Sequence, residues 1–312
     1  MSAVGELTQM VSNRKKGGAK EKHPDNKPAL VFMLPWLVGL LGITLIPMVA
    51  SFVLAFTDYS LLAPPEFVGL ANIKEMIGDT RLHNSLVVTF IYVFVGTPLQ
   101  LVMALLLAVV LNQGIKGLAF YRSIFYLPSL LGGSVAIAIL WRQMFGANGL
   151  INQVGGMLGF ENLPGWVSNP DTALGTIILL HVWTFGSPMI IFLAGLRQIP
   201  EMYYEAASVD GASKVAQFFK ITIPLLTPII FFNVVLQVIN AFQSFTQAFV
   251  VSGGTGGPSD STMFYTLYLY QKGFTQFDMG YASAMAWLLL IIVAIFTAIN
   301  FFVSKFWVFY DD

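Results

Sequence analysis

The chain has 312 residues, 56% of them hydrophobic and 10% charged, with no formal net charge and a mean hydropathy of +0.73. Soluble domains carry about a quarter charged residues, so this composition excludes a soluble globule and points to an all-α polytopic membrane protein. There is no cysteine and the three histidines, His23, His83 and His181, fall in separate segments, which excludes disulfides, Cys-ligated metal and a zinc-like cluster.

Residues 1–28 are polar and hold Arg14, Lys15, Lys16, Lys20, Lys22 and Lys27. They read as a disordered tail. This is the chain's only dense basic run and it lacks interleaved aromatics, so no nucleic-acid partner is expected. Six apolar segments come next, at 30–56, 85–111, 123–144, 172–196, 223–251 and 282–304. Each is long enough to cross a bilayer at about 1.5 Å per residue. The first is too long for a signal-peptide core and is read as an uncleaved span. Pro35, Pro47, Pro98, Pro128, Pro188 and Pro228 lie inside the six, so kinked or irregular helices are expected.

Orientation derives from Lys and Arg. With the N-terminus inside, the cytoplasmic side holds the tail residues plus Lys116, Arg122, Arg197, Lys214, Lys220 and Lys305. The outer side holds only Lys74, Arg81, Arg142 and Lys272. Both termini are then cytoplasmic. The outer loops at 57–84, 145–171 and 252–281 read as a Pro64-Pro65 loop with a short amphipathic piece at 72–77, an interfacial loop around Trp166, and a flexible glycine-rich hairpin. The glycines of that hairpin lack the subsequent Gly-Lys-Ser/Thr of a phosphate cradle.

Between the fourth and fifth segments lies the longest polar-containing run of the second half, 201–228. It reads as a short helix to Ser208, a turn at Asp210-Gly211 with Asp210 capping a second short helix at 212–221, and an entry to the next span marked by Pro224 and Pro228. Val215, Phe218 and Phe219 share an apolar side. Such an elbow, with Ala206 and Ala207 allowing close approach, suits docking into a groove of another protein.

The fifth segment carries Asn233, Gln237, Asn240, Ser244 and Gln247 at spacings of 4, 3, 4 and 3, which places them on one helical face, with Gln243 beside them. Amides in hydrocarbon cost several kcal/mol unless satisfied, roughly, so this stripe meets a partner helix or a wet path. The second reading suits a polyhydroxylated substrate, with Trp183 and Ser187 of the fourth segment as further candidates. No Asp, Glu, Lys or Arg lies within a span other than at the ends of the third, which argues against ion coupling and for a neutral substrate moved by energy from elsewhere. No Walker A sequence and no catalytic constellation is present, so an enzyme is not expected.

The set Glu205, Ala206, Ala207, Asp210, Gly211, with Phe218 and Pro224 beyond it, resembles the coupling (EAA) loop of bacterial ABC-importer permeases. Ile223 stands where that family usually has leucine. The runs Phe67-Val68-Gly69-Leu70-Ala71-Asn72, Arg122-Ser123-Ile124-Phe125-Tyr126-Leu127-Pro128, Gly256-Gly257-Pro258 and Met279-Gly280-Tyr281-Ala282-Ser283-Ala284 are similar to its sugar-permease branch. The resemblance implies a type I permease fold of six transmembrane helices in a bacterial cytoplasmic membrane. It implies a tail at 1–28, a first helix and outer loop at 29–84, and a permease domain at 85–308. It also implies a second homologous permease, an ATPase dimer holding the elbow at 201–221 and binding the ATP and Mg, and an extracytoplasmic solute-binding protein. The cargo would be a sugar, or a polyol or glycerol phosphate. A stand-alone secondary transporter would instead show an internal repeat or intramembrane charges, and neither is evident.

Overall fold

The structure, a computed structural model, describes residues 27–114 and 116–309, and side chains from Val31 onward. The tail expected at 1–28 lies outside the described residues up to Asn26. The chain divides into two compact units, Met1–Ser51 and Phe52–Asp312. The described part of the first is helical throughout, with the helix Lys27–Val38, a π-helical turn Gly39–Leu45 and the start of Ile46–Leu54.

Four helical runs are long and apolar enough to cross a membrane unbroken: Val31–Leu54, Thr80–Leu111, Lys214–Phe242 and Met279–Ser304. They are the first, second, fifth and sixth spans. The third and fourth are bent pairs. Leu118–Leu131 and Val135–Met144 meet at 95°, and Pro170–Trp183 and Gly186–Leu196 at 41°. The sharp bend of the third falls at Gly132-Gly133, with Ser134 capping the second half through the Ile137 amide. Its ten-residue second half covers only about 15 Å, about half a bilayer core, so this segment is not one straight crossing.

The prolines act by a common rule. Three π-helical turns end two residues before a proline: Gly39–Leu45 before Pro47, Tyr92–Gly96 before Pro98, and Phe218–Thr222 before Pro224. A helical proline offers no N–H to the carbonyl four residues back and its ring crowds that oxygen. Those carbonyls belong to Ile43, Phe94 and Lys220, all inside the widened turns. The wider turn relieves the crowding without ending the helix. At Pro228 the freed Pro224 carbonyl is taken by the Thr227 hydroxyl at 2.7 Å, and the helix again continues.

The segments 57–84 and 252–281 pack together at one end of the second unit. Strands Thr57–Ser60 and Ala63–Phe67 form an antiparallel hairpin, an exception to the all-helical expectation. The helix Ala71–Gly78 comes next, and its Asn72 amide donates to the Ala55 and Thr57 carbonyls at 2.9 and 3.0 Å. The glycine-rich stretch is not a flexible hairpin. After its turns comes a helix, Tyr265–Tyr270, extended by a π-helical turn Gln271–Thr275, and Met263, Phe264, Tyr265 and Leu267 are fully buried. Apolar and aromatic residues outweigh the glycines there. Asp79 caps the second span and also accepts the Tyr268 and Tyr281 hydroxyls, each at 2.7 Å. Arg81 pairs with Asp260 at 2.9 Å. The loop around Trp166 likewise contains a helix, Leu150–Met157, and its Asn152 accepts the Trp166 indole at 2.7 Å.

Candidate functional site

Two places hold the candidate residues, and the fifth span joins them. The first is the elbow. Its leading helix is Glu201–Val209. Asp210 does not cap the next helix but closes this one. The Ala212 amide reaches back to the Ala207 carbonyl at 2.9 Å and the Gly211 amide to Ser208 at 3.1 Å, with Gly211 at φ +78°. This is the Schellman arrangement, which needs a left-handed residue at that position. No atom lies within 4 Å of a side chain built on Gly211, so glycine is required by φ alone. The cap of the next helix is Ser213, which accepts the Ala216 amide at 3.3 Å. That helix is not a separate short one. Lys214–Phe242 runs unbroken through Pro224 into the fifth span.

Gln217 ties the two arms together. It is buried, and its amide donates to Ser208 Oγ at 2.9 Å and to the Ala212 carbonyl at 3.2 Å. Tyr204 and Thr222 share a further hydroxyl contact at 2.9 Å. Glu205, Ala206, Asp210 and Gly211 are exposed and Ala207 partly so. Of the apolar side expected at this arm, Phe218 faces a cavity of about 500 Å³ behind the elbow, while Val215 and Phe219 are exposed with Met202 and Val209. The elbow is thus a rigid bent unit with a mixed apolar and acidic outer face.

The second place is where three helix breaks meet. Pro188 has no N–H for the Thr184 carbonyl, and the fourth span opens there. The Thr184 oxygen is instead met by the Gln100 amide of the second span at 3.1 Å and by the Ser129 hydroxyl of the third at 2.8 Å. Ser129 in turn accepts the Ser187 amide at 2.9 Å. Gly186 sits so close to the third span that an added side chain would lie 2.5 Å from the Phe125 carbonyl. The bend of the third span at Gly132 presses on Thr184, and the Gly132 carbonyl accepts the Gln247 amide at 3.3 Å. Irregular backbone at membrane depth is tolerated where protein or a wet cavity receives it.

The stripe of the fifth span divides here. Asn233 is fully buried and Gln237 nearly so, whereas Asn240 is exposed. The helix then stops at Phe242. Gln243 is its exposed C-cap, and Ser244 lies in the break, so neither Ser244 nor Gln247 shares the helical face with Asn233. Ser244 contacts Gln247 at 3.2 Å and the Tyr92 hydroxyl at 3.4 Å. Trp183 is half-buried at the end of its helix, its ring 5.9 Å from that of Trp141. Sequence reasoning singles out neither Gln100 nor Ser129. A signal for Gln100 exists: one amide in an otherwise apolar run two residues after a proline.

Broken helices that converge on one level, and a capped elbow continuous with a span, define a polytopic transport permease. The chain belongs to the family of binding-protein-dependent transport system inner membrane components, whose profile matches residues 80–307. It is similar to the probable ABC transporter permease protein YesP of Bacillus subtilis, with 54% identity over 92% of this chain and 94% of that protein. It is 30% identical to the lactose transport system permease protein LacF of Rhizobium radiobacter, over 88% of this chain and 93% of that one. Its fold matches a chain of the bacterial alginate ABC transporter crystallised with an alginate pentasaccharide-bound periplasmic protein. The TM-score is 0.77 at 19% identity, covering 90% of this chain and 94% of that one. The chain is a permease subunit of an ABC importer, lodged in a membrane by several apolar helices.

Proposed function

We propose that this subunit carries a sugar or short oligosaccharide. It supplies half of the path, a second homologous permease supplies the other half, an ATPase dimer binds ATP and Mg, and a solute-binding protein delivers cargo from outside. The elbow end faces the cytoplasm, as the Lys and Arg bias requires. Glu205, Ala206, Ala207, Asp210 and Gly211 present the docking face, with Phe218 and Pro224 leading back into the fifth span. Asn240, Gln243 and Ser244, together with Trp183 and Ser187, line the path where the helices break. Amides and hydroxyls both donate and accept, which suits sugar hydroxyls. Asn233 and Gln237 hold the span against its neighbours.

The observation that carries this reading is the elbow itself, a rigid exposed bend rooted in the span that ends at the breaks. The cysteine-free chain makes the test direct. Ala206→Cys is paired with single cysteines in the ATPase groove, and uptake of a radiolabelled panel of lactose, maltose and maltotriose is measured in the same cells. Disulfide capture of the ATPase at Ala206→Cys, with uptake of at least one sugar, is expected. Labelling of that cysteine only from outside the cell would refute the orientation and the docking role together.

A further inference from the structure

Four aromatic rings form an unbroken chain that the family's coupling and pore chemistry leaves unused. Phe245 lies in the break of the fifth span, and Phe249 lies on the next short helix, Thr246–Val251, with ring centroids 5.2 Å apart. Tyr270, on the helix Tyr265–Tyr270, contacts both, at 5.2 and 5.5 Å. Phe274 stacks on Tyr270 at 5.3 Å with planes 28° apart, and it is 57% exposed. The chain of rings therefore starts beside Gln243 and Ser244 and ends in the open.

The backing of these rings is fixed. The opposite side of the Tyr265–Tyr270 helix is held by Tyr265 donating to the Met285 carbonyl and by Tyr268 donating to Asp79, both at 2.7 Å. Lys272, between Tyr270 and Phe274 in sequence, is turned away toward the Tyr281 ring at 4.4 Å and Glu75 at 3.7 Å. A buried anchor on one side and uncharged rings on the other leave Phe274 more than half exposed among the described residues. An exposed amide, Gln276, comes two residues after Phe274, and Ser244 directly precedes Phe245. Flat apolar faces flanked by amides and hydroxyls recognise ligands that are apolar on one face and hydroxylated at the rim, which is the chemistry of a pyranose ring.

Resting on the sugar reading above, we propose that Phe245, Phe249, Tyr270 and Phe274 form a stacking ladder that passes the sugar from the outer surface to the helix breaks. Phe274 offers an open ring face to the CH surface of a sugar, and the partly buried rings behind it are spaced so that one contact forms as the previous one releases. A lipid-facing aromatic belt would use the same residue types, so the test separates the two.

In the complete importer, Phe274→Cys and Tyr270→Cys are exposed to the water-soluble, membrane-impermeant thiol reagent MTSET, with and without the sugar that the wild type imports. The native chain has no cysteine to interfere. Modification of both from outside, slowed by the sugar, is expected. Tyr270→Leu should lower the uptake rate per assembled complex roughly fivefold, the scale of one lost ring contact, while Tyr270→Phe keeps the ring and retains uptake. Silence of both cysteines toward MTSET would place the rings in lipid and overturn the ladder, whether or not the leucine variant assembles. Equal uptake by Tyr270→Leu and the wild type would overturn it too, leaving the sugar reading intact. If the wild type imports no sugar of the panel, the sugar reading falls and the ladder's ligand falls with it.

Discussion

The side-chain amide of Gln100, on the second span, donates to the Thr184 carbonyl in the break of the fourth at 3.1 Å. The same amide reaches the His181 carbonyl at 3.1 Å, an oxygen that also accepts the Thr184 amide and hydroxyl, so one side chain bridges two carbonyls at the break. A buried carbonyl without a partner costs about 1–3 kcal/mol, which makes this contact structural rather than ornamental.

Gln100→Leu should therefore destabilise the assembled permease by about 1–2 kcal/mol. Ser129→Ala should cost a similar amount. Because both donate to the Thr184 oxygen, the double variant should depart from the sum of the singles. Thermal unfolding of the four proteins in lipid nanodiscs measures this, and strict additivity would show that the two donors act separately.

Gly186 leaves no room for change. A Cβ there meets the Phe125 carbonyl at 2.5 Å and the Tyr126 Cα at 2.7 Å, both backbone atoms that cannot swing aside. Gly186→Val should cost roughly 3 kcal/mol or more through overpacking and lower the yield of complex sharply. Gly133, with nothing within 4 Å, is the control, and Gly133→Ala should leave the yield near that of the wild type.

At Gly211 the cost is conformational alone. Gly211→Val forces a branched side chain into φ +78° and should cost about 1–2 kcal/mol locally. Uptake should fall further than assembly does, because the proposed docking face loses its shape. Gly211→Asn, which tolerates the left-handed region, should recover much of the transport. Uptake assays beside quantified ATPase co-purification distinguish these outcomes.

Asp79 gives a pH dependence. Burial pushes its carboxyl up, but the hydroxyls of Tyr268 and Tyr281 and the amides of Leu82 and Arg81 outweigh that, and it rests below its ordinary value of 3.8. A carboxyl lowered by folding stabilises the fold above its unfolded value and loses that contribution as pH falls through its folded value. The stability gap between wild type and Asp79→Asn should be widest at neutral pH and should close below pH 3.8. Unfolding midpoints of the two proteins across that range provide the measurement.

The spans are legible in the sequence because an apolar run of twenty or more residues has few other uses. The breaks are half legible. Pro188 announces a freed carbonyl, but only tertiary structure says that Gln100 and Ser129 take it. The prolines point to kinked or irregular helices, and at Pro47 and Pro98, as at Pro224 at the entry to the fifth span, the irregularity is a π-helical turn that relieves the crowding. Asp210 and Ser213 are both good caps, and the sequence does not rank them. Gly211 decides, since its left-handed turn closes the preceding helix on Asp210 and leaves the start of the next to Ser213. The spacing of Asn233, Gln237 and Asn240 is sound as far as Phe242, where the helix ends without a proline or glycine to announce it. The aromatic helix at Tyr265 is hidden by the glycines before it, which describe the turn and not the helix beyond.

The helix Lys214–Phe242 has 29 residues, so its far end stands on the order of 43 Å from the elbow. A rod of that length amplifies: a tilt of roughly 5° at the elbow swings the opposite tip by about 4 Å, comparable to the width of a sugar ring. With Gln217 bracing the foot, little of that stroke is dissipated in the bend, and under the coupling role proposed above a modest closure of the ATPase is enough to shift the helix end at Gln243.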